Sequence, residues 1–139
     1  MLIGNDGGFY QSFNEGRGWD HLSKFGVGEF YRVNVDRSTP FRICGGLQDN
    51  NSWVGPSVIP SKEGIRDGDW QSLGGGDGAY CAFDPTDSNT VYFESQRGDM
   101  VRIDLKSGQQ KVLRPEPNEG QPAFRYHWLA PLIASAHQP

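Results

Sequence analysis

Tyr80-Cys81-Ala82-Phe83-Asp84-Pro85, followed by Thr90-Val91-Tyr92-Phe93-Glu94-Ser95-Gln96, reads as strand, Asp-led turn, strand and Gln. The same order stands earlier, in Tyr31-Arg32-Val33-Asn34-Val35-Asp36 and Phe41-Arg42-Ile43-Cys44-Gly45-Gly46-Leu47-Gln48. The anchoring aspartates Asp36 and Asp84 are 48 residues apart (84 − 36). A third copy starts at Leu129-Ala130-Pro131-Leu132-Ile133-Ala134-Ser135, with Ser135 standing 51 residues after Asp84 (135 − 84). Val101-Arg102-Ile103-Asp104-Leu105 alternates with the two-residue period of a strand, and Gly98-Asp99 and Ser107-Gly108 punctuate it. No apolar spacing of 3.6 residues persists long enough for a substantial helix.

A period in the forties with several strands per unit predicts an all-β fold of four-stranded antiparallel propeller blades. One unit can be laid out in full: strand A over 79–83, B over 90–95, C over 100–105 and D over 109–113. The preceding unit follows the same plan, with an expanded C–D connection from Val54 to Gly68. Gly8-Phe9-Tyr10-Gln11 reads as a strand C, so the chain is expected to begin after strands A and B of its first blade. The predicted division is 1–25 for the end of one blade, 26–73 and 74–125 for whole blades, and 126–139 for the start of another. That is about two and a half to three blades, an incomplete ring, since closed propellers need about four to eight. The remaining blades are expected from a longer parent chain or from other copies of this one.

Composition agrees with a turn-rich domain that folds around a small core. Among 139 residues, 19 glycines and 9 prolines make turns dense, while 12% aromatic content argues against disorder. A net charge of −4 argues against nucleic-acid binding and against an anionic membrane surface as partner. No apolar run approaches the about 20 residues of a transmembrane helix. Cys44 and Cys81 have no metal-ligand spacing and lie in apolar strands, so buried free thiols are expected in preference to a disulfide. His21, His127 and His137 show no ligand spacing either, and no metal or cofactor is expected. Gly74-Gly75-Gly76 lacks the Lys-Ser/Thr and the following helix of a phosphate loop.

Ser12-Phe13-Asn14-Glu15-Gly16-Arg17-Gly18-Trp19 supplies a second kind of signal. A short polar side chain folds back onto backbone N–H groups, Gly takes the positive φ, and the Trp is expected to staple the turn to the sheet below. With Asn5-Asp6-Gly7-Gly8, Gly45-Gly46-Leu47-Gln48-Asp49-Asn50, Gly74-Gly75-Gly76-Asp77-Gly78 and Asp84-Pro85, it resembles the Asp-box, or BNR-repeat, β-propellers. It looks most like large bacterial proteins with sortilin-like or xyloglucanase-like propellers. Asn14 stands at the Asp position of the box and Gly18 at its Thr position. The resemblance implies that Ser12, Asn14, Gly16 and Trp19 are structural, on the blade periphery. It also favours an extracellular or periplasmic location.

In propellers similar to this one, the D–A and B–C loops share the face that holds the ligand. Counting back eight residues from each anchor gives Gly28, Gly76 and His127 as the first positions of the innermost strands, followed by Glu29, Asp77 and Trp128. The B–C loops add Asp6, Gln48, Asp49, Asn51, Gln96 and Arg97. Carboxylates, amides, a guanidinium and an indole suit a glycan or peptide ligand, through bidentate hydrogen bonds and a stacking plate. Glu29 and Asp77 could alternatively be the paired carboxylates of a glycoside hydrolase, or solvated caps of their strands. A structural or assembly role is the third alternative.

Overall fold

The computed structural model describes residues 1–5, 8–22, 28–135 and 137. It is all-β, with three antiparallel sheets in chain order. β1 (Leu2–Asn5), β2 (Gly8–Gln11) and β3 (Asp20–His21) form a three-stranded meander. β4 (Phe30–Val35), β5 (Arg42–Leu47), β6 (Ser52–Pro56) and β7 (Gln71–Gly74) form the second sheet in that order. β8 (Gly78–Phe83), β9 (Thr90–Ser95), β10 (Asp99–Asp104) and β11 (Gln110–Val112) form the third. The helical content described is two single turns, Asp67–Asp69 and Gln96–Gly98.

The two four-stranded sheets repeat each other in detail. Val35 pairs with Ile43 and Phe83 with Val91, one residue before each anchoring aspartate. Both first strands carry an irregularity at their start, between Phe30 and Arg32 and between Gly78 and Cys81. The Asp36 N–H donates to the Arg42 carbonyl (3.1 Å) and the Asp84 N–H to the Thr90 carbonyl (2.9 Å). Each carboxylate then closes its own turn, accepting the N–H two residues on: Ser38 at 3.2 Å and Thr86 at 2.9 Å.

These sheets pack face to face and share one core of Cys44, Val54, Leu73, Cys81, Phe83, Val91, Phe93 and Ile103. Close approach depends on absent side chains. A Cβ on Gly46 would lie 2.2 Å from the Gly78 carbonyl carbon and 2.3 Å from the Ala79 nitrogen. Arg42 spans the same junction: its Nε holds Asp36 (2.8 Å), its Nη2 donates to the Ser88 carbonyl, and its guanidinium lies over Phe83 at 5.3 Å.

Four expectations about the cysteines and the strands need correction. Cys44 and Cys81 are not free thiols but form a disulfide between β5 and β8, with Cα atoms 5.9 Å apart. Alternation puts both on the faces that meet, so burial and pairing coincide. The first sheet does not begin at its strand C, because Leu2–Asn5 already pairs with Gly8–Gln11. Strand β6 runs on to Pro56, which shortens the expected Val54–Gly68 connection. The 129–135 segment, expected as a third inner strand, belongs to no sheet.

The Ser12–Trp19 turn forms as its residue types require. Ser12 Oγ accepts the Gly16 N–H (2.8 Å), and Asn14 Oδ1 accepts the Gly18 N–H (2.8 Å). Gly16 takes φ +87°. Trp19, expected as a buried staple, keeps 37% of its surface exposed and lies beside Gly16.

Candidate functional site

The loops at the start of β4 and β8, the β5–β6 and β9–β10 turns, and the segment before Leu129 meet at one end of the paired sheets. Gln48 N–H donates to the Glu29 carbonyl (3.2 Å), and Asn51 N–H to the Gly76 carbonyl (3.0 Å). Asp77 is the hub. Its Oδ1 accepts the Asp49 N–H (2.7 Å), its Oδ2 accepts the Trp128 indole N–H (3.0 Å), and its own N–H donates to Gln96 Oε1 (2.8 Å). Arg97 N–H donates to the Trp128 carbonyl (2.8 Å), and the Arg97 guanidinium lies 5.2 Å from the Trp128 ring centre.

The 48-residue repeat explains this convergence. Gln48 and Gln96 occupy equivalent turn positions, as do Asp49 and Arg97, which share the left-handed φ of +57° and +63°. Asp49 reaches Asp77, just before β8, and Arg97 reaches Trp128, which stands 51 residues after Asp77. So Glu29, Gln48, Asp49, Asp77, Gln96, Arg97 and Trp128 lie in one connected patch. His127 is exposed beside it, with its Nδ1 accepting the Leu129 N–H (3.3 Å). Asp6 lies outside the described residues.

Two residues of the patch were not singled out from the sequence. Tyr31 is half-buried, and burial raises its hydroxyl above the ordinary value. The charges of Asp77, Asp49 and Glu29 raise it further. Glu94 is fully buried. Its Oε1 accepts the N–H groups of Gly98 (3.0 Å) and Ala130 (3.3 Å), while among the described residues Oε2 has no hydrogen bond of ordinary length, the Tyr80 N–H being a weaker neighbour of the carboxylate. Burial raises the Glu94 carboxyl above its ordinary value, although bonds from Gly98, Ala130 and Tyr80 pull the other way. Nothing in a strand sequence distinguishes such an inward Glu from a solvated one.

Chemically, the patch offers an exposed indole and guanidinium (Trp128 is 43% exposed) beside the exposed side chains of Glu29, Gln48 and Asp49. Asp77 is different, because both its oxygens already accept hydrogen bonds from the protein. Among the described residues, no group of three or more His, Cys, Asp or Glu side chains could hold a metal ion. A concavity of about 480 Å³ lies instead at the opposite end, between the turns after Asp36 and Asp84 and residues 132–134. Compared with known proteins, the chain matches no family model, no curated protein and no solved structure.

Proposed function

We propose that this chain is part of an Asp-box β-propeller that binds a glycan or peptide on the face formed by Glu29, Gln48, Asp49, Arg97 and Trp128. The single observation that carries this reading is the Asp49–Asp77–Trp128–Arg97 chain of contacts. It holds an exposed indole and an exposed guanidinium in place before any ligand arrives, and preorganisation is what gives polar surface ligands their affinity. A sugar ring offers the indole an apolar face and offers the carboxylates and amides its hydroxyls. The Cys44–Cys81 disulfide suits an oxidising compartment, in keeping with a secreted or periplasmic protein.

Binding is favoured over glycoside hydrolysis because each oxygen of Asp77, one of the two candidate carboxylates, already accepts a bond that positions the Asp49 turn or the Trp128 indole. A general base or nucleophile needs a lone pair directed at substrate or water. The test is a glycan array and a peptide panel probed with the chain and three variants. Trp128→Ala should weaken binding at least tenfold, and Asp77→Asn should weaken it by releasing the indole or the Asp49 turn. Glu119→Gln, on an exposed loop, should change nothing. Equal binding by Trp128→Ala and the parent would overturn the reading.

A further inference from the structure

We propose that Glu94 is the positioning residue of the ligand face, a buried carboxyl that seats Trp128 and Arg97 through two backbone amides and lets them go as pH rises. This role presupposes that face as the ligand site and supplies its regulation. Glu94 lies on β9 and is fully buried. Its Oε1 accepts the Gly98 N–H (3.0 Å) and the Ala130 N–H (3.3 Å), 36 residues away in sequence. One amide belongs to the turn that carries Arg97, and the other follows Trp128 by two residues. A single oxygen thus ties together the two segments whose side chains form the exposed indole and guanidinium.

The repeat shows what the carboxyl replaces. Gly46, the counterpart of Glu94 48 residues earlier (94 − 48), lets the two full sheets meet main chain to main chain, 2.2 Å being all that would separate a Cβ there from the Gly78 carbonyl carbon. At the next junction the same position carries a carboxyl, and the Ala130 amide meets that side chain. The turn is fixed from its other side as well. Arg97 and Gly98 have φ of +63° and +77°, and a Cβ on Gly98 would lie 2.4 Å from the Tyr126 ring. The Arg97 N–H also donates to the Trp128 carbonyl (2.8 Å). Of the two ties between turn and segment, the Glu94 bridge is the one that contains a titratable group.

A carboxylate sealed from water is costly unless a cation meets it. Among the described residues, the cations in ion pairs meet Asp36, Glu63 and Asp99, and none meets Glu94. From β10, Asp99 adds a further negative charge, although Arg114 holds it at 2.7 Å. From β8, Tyr80 offers a weaker backbone N–H, and its ring lies under the Arg32 guanidinium (4.8 Å). From the turn, Arg97 puts its guanidinium over the Trp128 ring (5.2 Å), and from the last segment His127 turns its Nδ1 to the Leu129 N–H (3.3 Å). Burial outweighs the amide bonds and raises the Glu94 carboxyl above its ordinary value. Below that raised value the proton is in place and the seat is closed. Above it the bare charge draws in water, the Gly98 and Ala130 amides part from it, and Trp128 and Arg97 lose their fixed spacing. Ligand is then held at lower pH and released at higher pH.

The experiment follows the indole N–H signals of the four tryptophans by NMR in the isotopically labelled full chain, from pH 4 to pH 8. Trp128→Phe assigns the Trp128 signal, which reports the face because that N–H donates to Asp77 Oδ2 (3.0 Å). The expected result is a pH-dependent step in the Trp128 signal of the parent that is absent from Glu94→Gln and persists in His127→Gln. Amide exchange in the parent gives a second readout that needs no variant. Corrected for intrinsic rates, protection at Gly98 and Ala130 should fall at least about tenfold further over this range than that of Val91 and Phe93 on the same strand. A Trp128 signal that stays still, or that moves equally in Glu94→Gln, would overturn the proposal. So would protection at Gly98 and Ala130 that follows the rest of β9, and this result decides alone if Glu94→Gln does not fold. No ligand enters either measurement. An array or panel without a binder would therefore sink the reading of the face, while the switch stands or falls on the indole and the amides.

Discussion

Asp36 shows how much a single carboxylate can organise. Its side chain is almost wholly buried and accepts bonds from Ser38 N–H, Ser38 Oγ, Arg42 N–H and Arg42 Nε. Burial alone would raise its carboxyl, but these bonds outweigh it and hold the group below the ordinary carboxylate value. A depressed carboxylate contributes stability that is present above its unfolded value and is lost as pH falls through the folded one. We expect Asp36→Asn to cost about 2–4 kcal/mol near neutrality, since buried donors lose an ionised acceptor. In urea melts from pH 2 to 7, the variant should also show a shallower acid loss than the parent. A parallel pair of curves would mean that Asp36 is not the group titrating.

Glu94 carries the opposite sign. Its carboxyl is raised, so the folded state holds the proton more tightly than the unfolded chain. Stability should therefore decline as pH rises from the ordinary Glu range through the raised value. Glu94→Gln keeps an acceptor for Gly98 and Ala130 and carries no charge to bury. Melting temperatures across pH 4–8 should fall for the parent and stay level for the variant. Identical slopes would remove Glu94 from the account. At Trp19, 37% exposure lowers the expectation for a deletion. Trp19→Ala should cost about 1–2 kcal/mol, below the about 3–5 kcal/mol of a fully buried aromatic.

At the scale of elements, the junction of the two full sheets is decided by backbone proximity. Gly46 and Gly78 face each other, and a Cβ on Gly78 would lie 2.3 Å from the Asn51 carbonyl oxygen. The obstructing atoms are main chain, so no rotamer change relieves the contact. Gly46→Ala should destabilise by about 3 kcal/mol or more, the upper range for overpacking. An equally small addition at Gly108, where nothing lies within 4 Å, tests only its positive φ of +71° and should cost less. Equal costs from chemical denaturation would mean the sheets can separate without penalty.

The whole molecule depends on the disulfide that crosses this junction. Cys44 and Cys81 close a loop with a sequence separation of 37. In the chain-entropy account, such a cross-link contributes about 3–4 kcal/mol by restricting the unfolded chain. The Cys44→Ser/Cys81→Ser variant should lose about that much, and reduction of the parent should lower its stability equally. No change in the denaturation midpoint on reduction would show that the core alone holds the sheets together.

Local patterns made much of this protein legible from residues alone. Strand alternation placed β8, β9 and β10 within a residue of where they lie, because side-chain period and turn chemistry act over a few positions. The repeat placed Asp77 just before β8, and it named Trp128 as the residue that meets it, although the segment after Trp128 joins no sheet. Leu2-Ile3-Gly4-Asn5 was too short and too glycine-punctuated to read as a strand, and it forms one through its pairing with Gly8–Gln11. The Cys44–Cys81 bond, the burial of Glu94, the exposure of Trp19 and the engagement of both Asp77 oxygens depend on which faces meet. Period and composition determined the elements and their order, because those are properties of neighbouring residues. Only the tertiary structure decided partners across sheets, because residues 37 or 51 positions apart become neighbours only when separate sheets and segments pack.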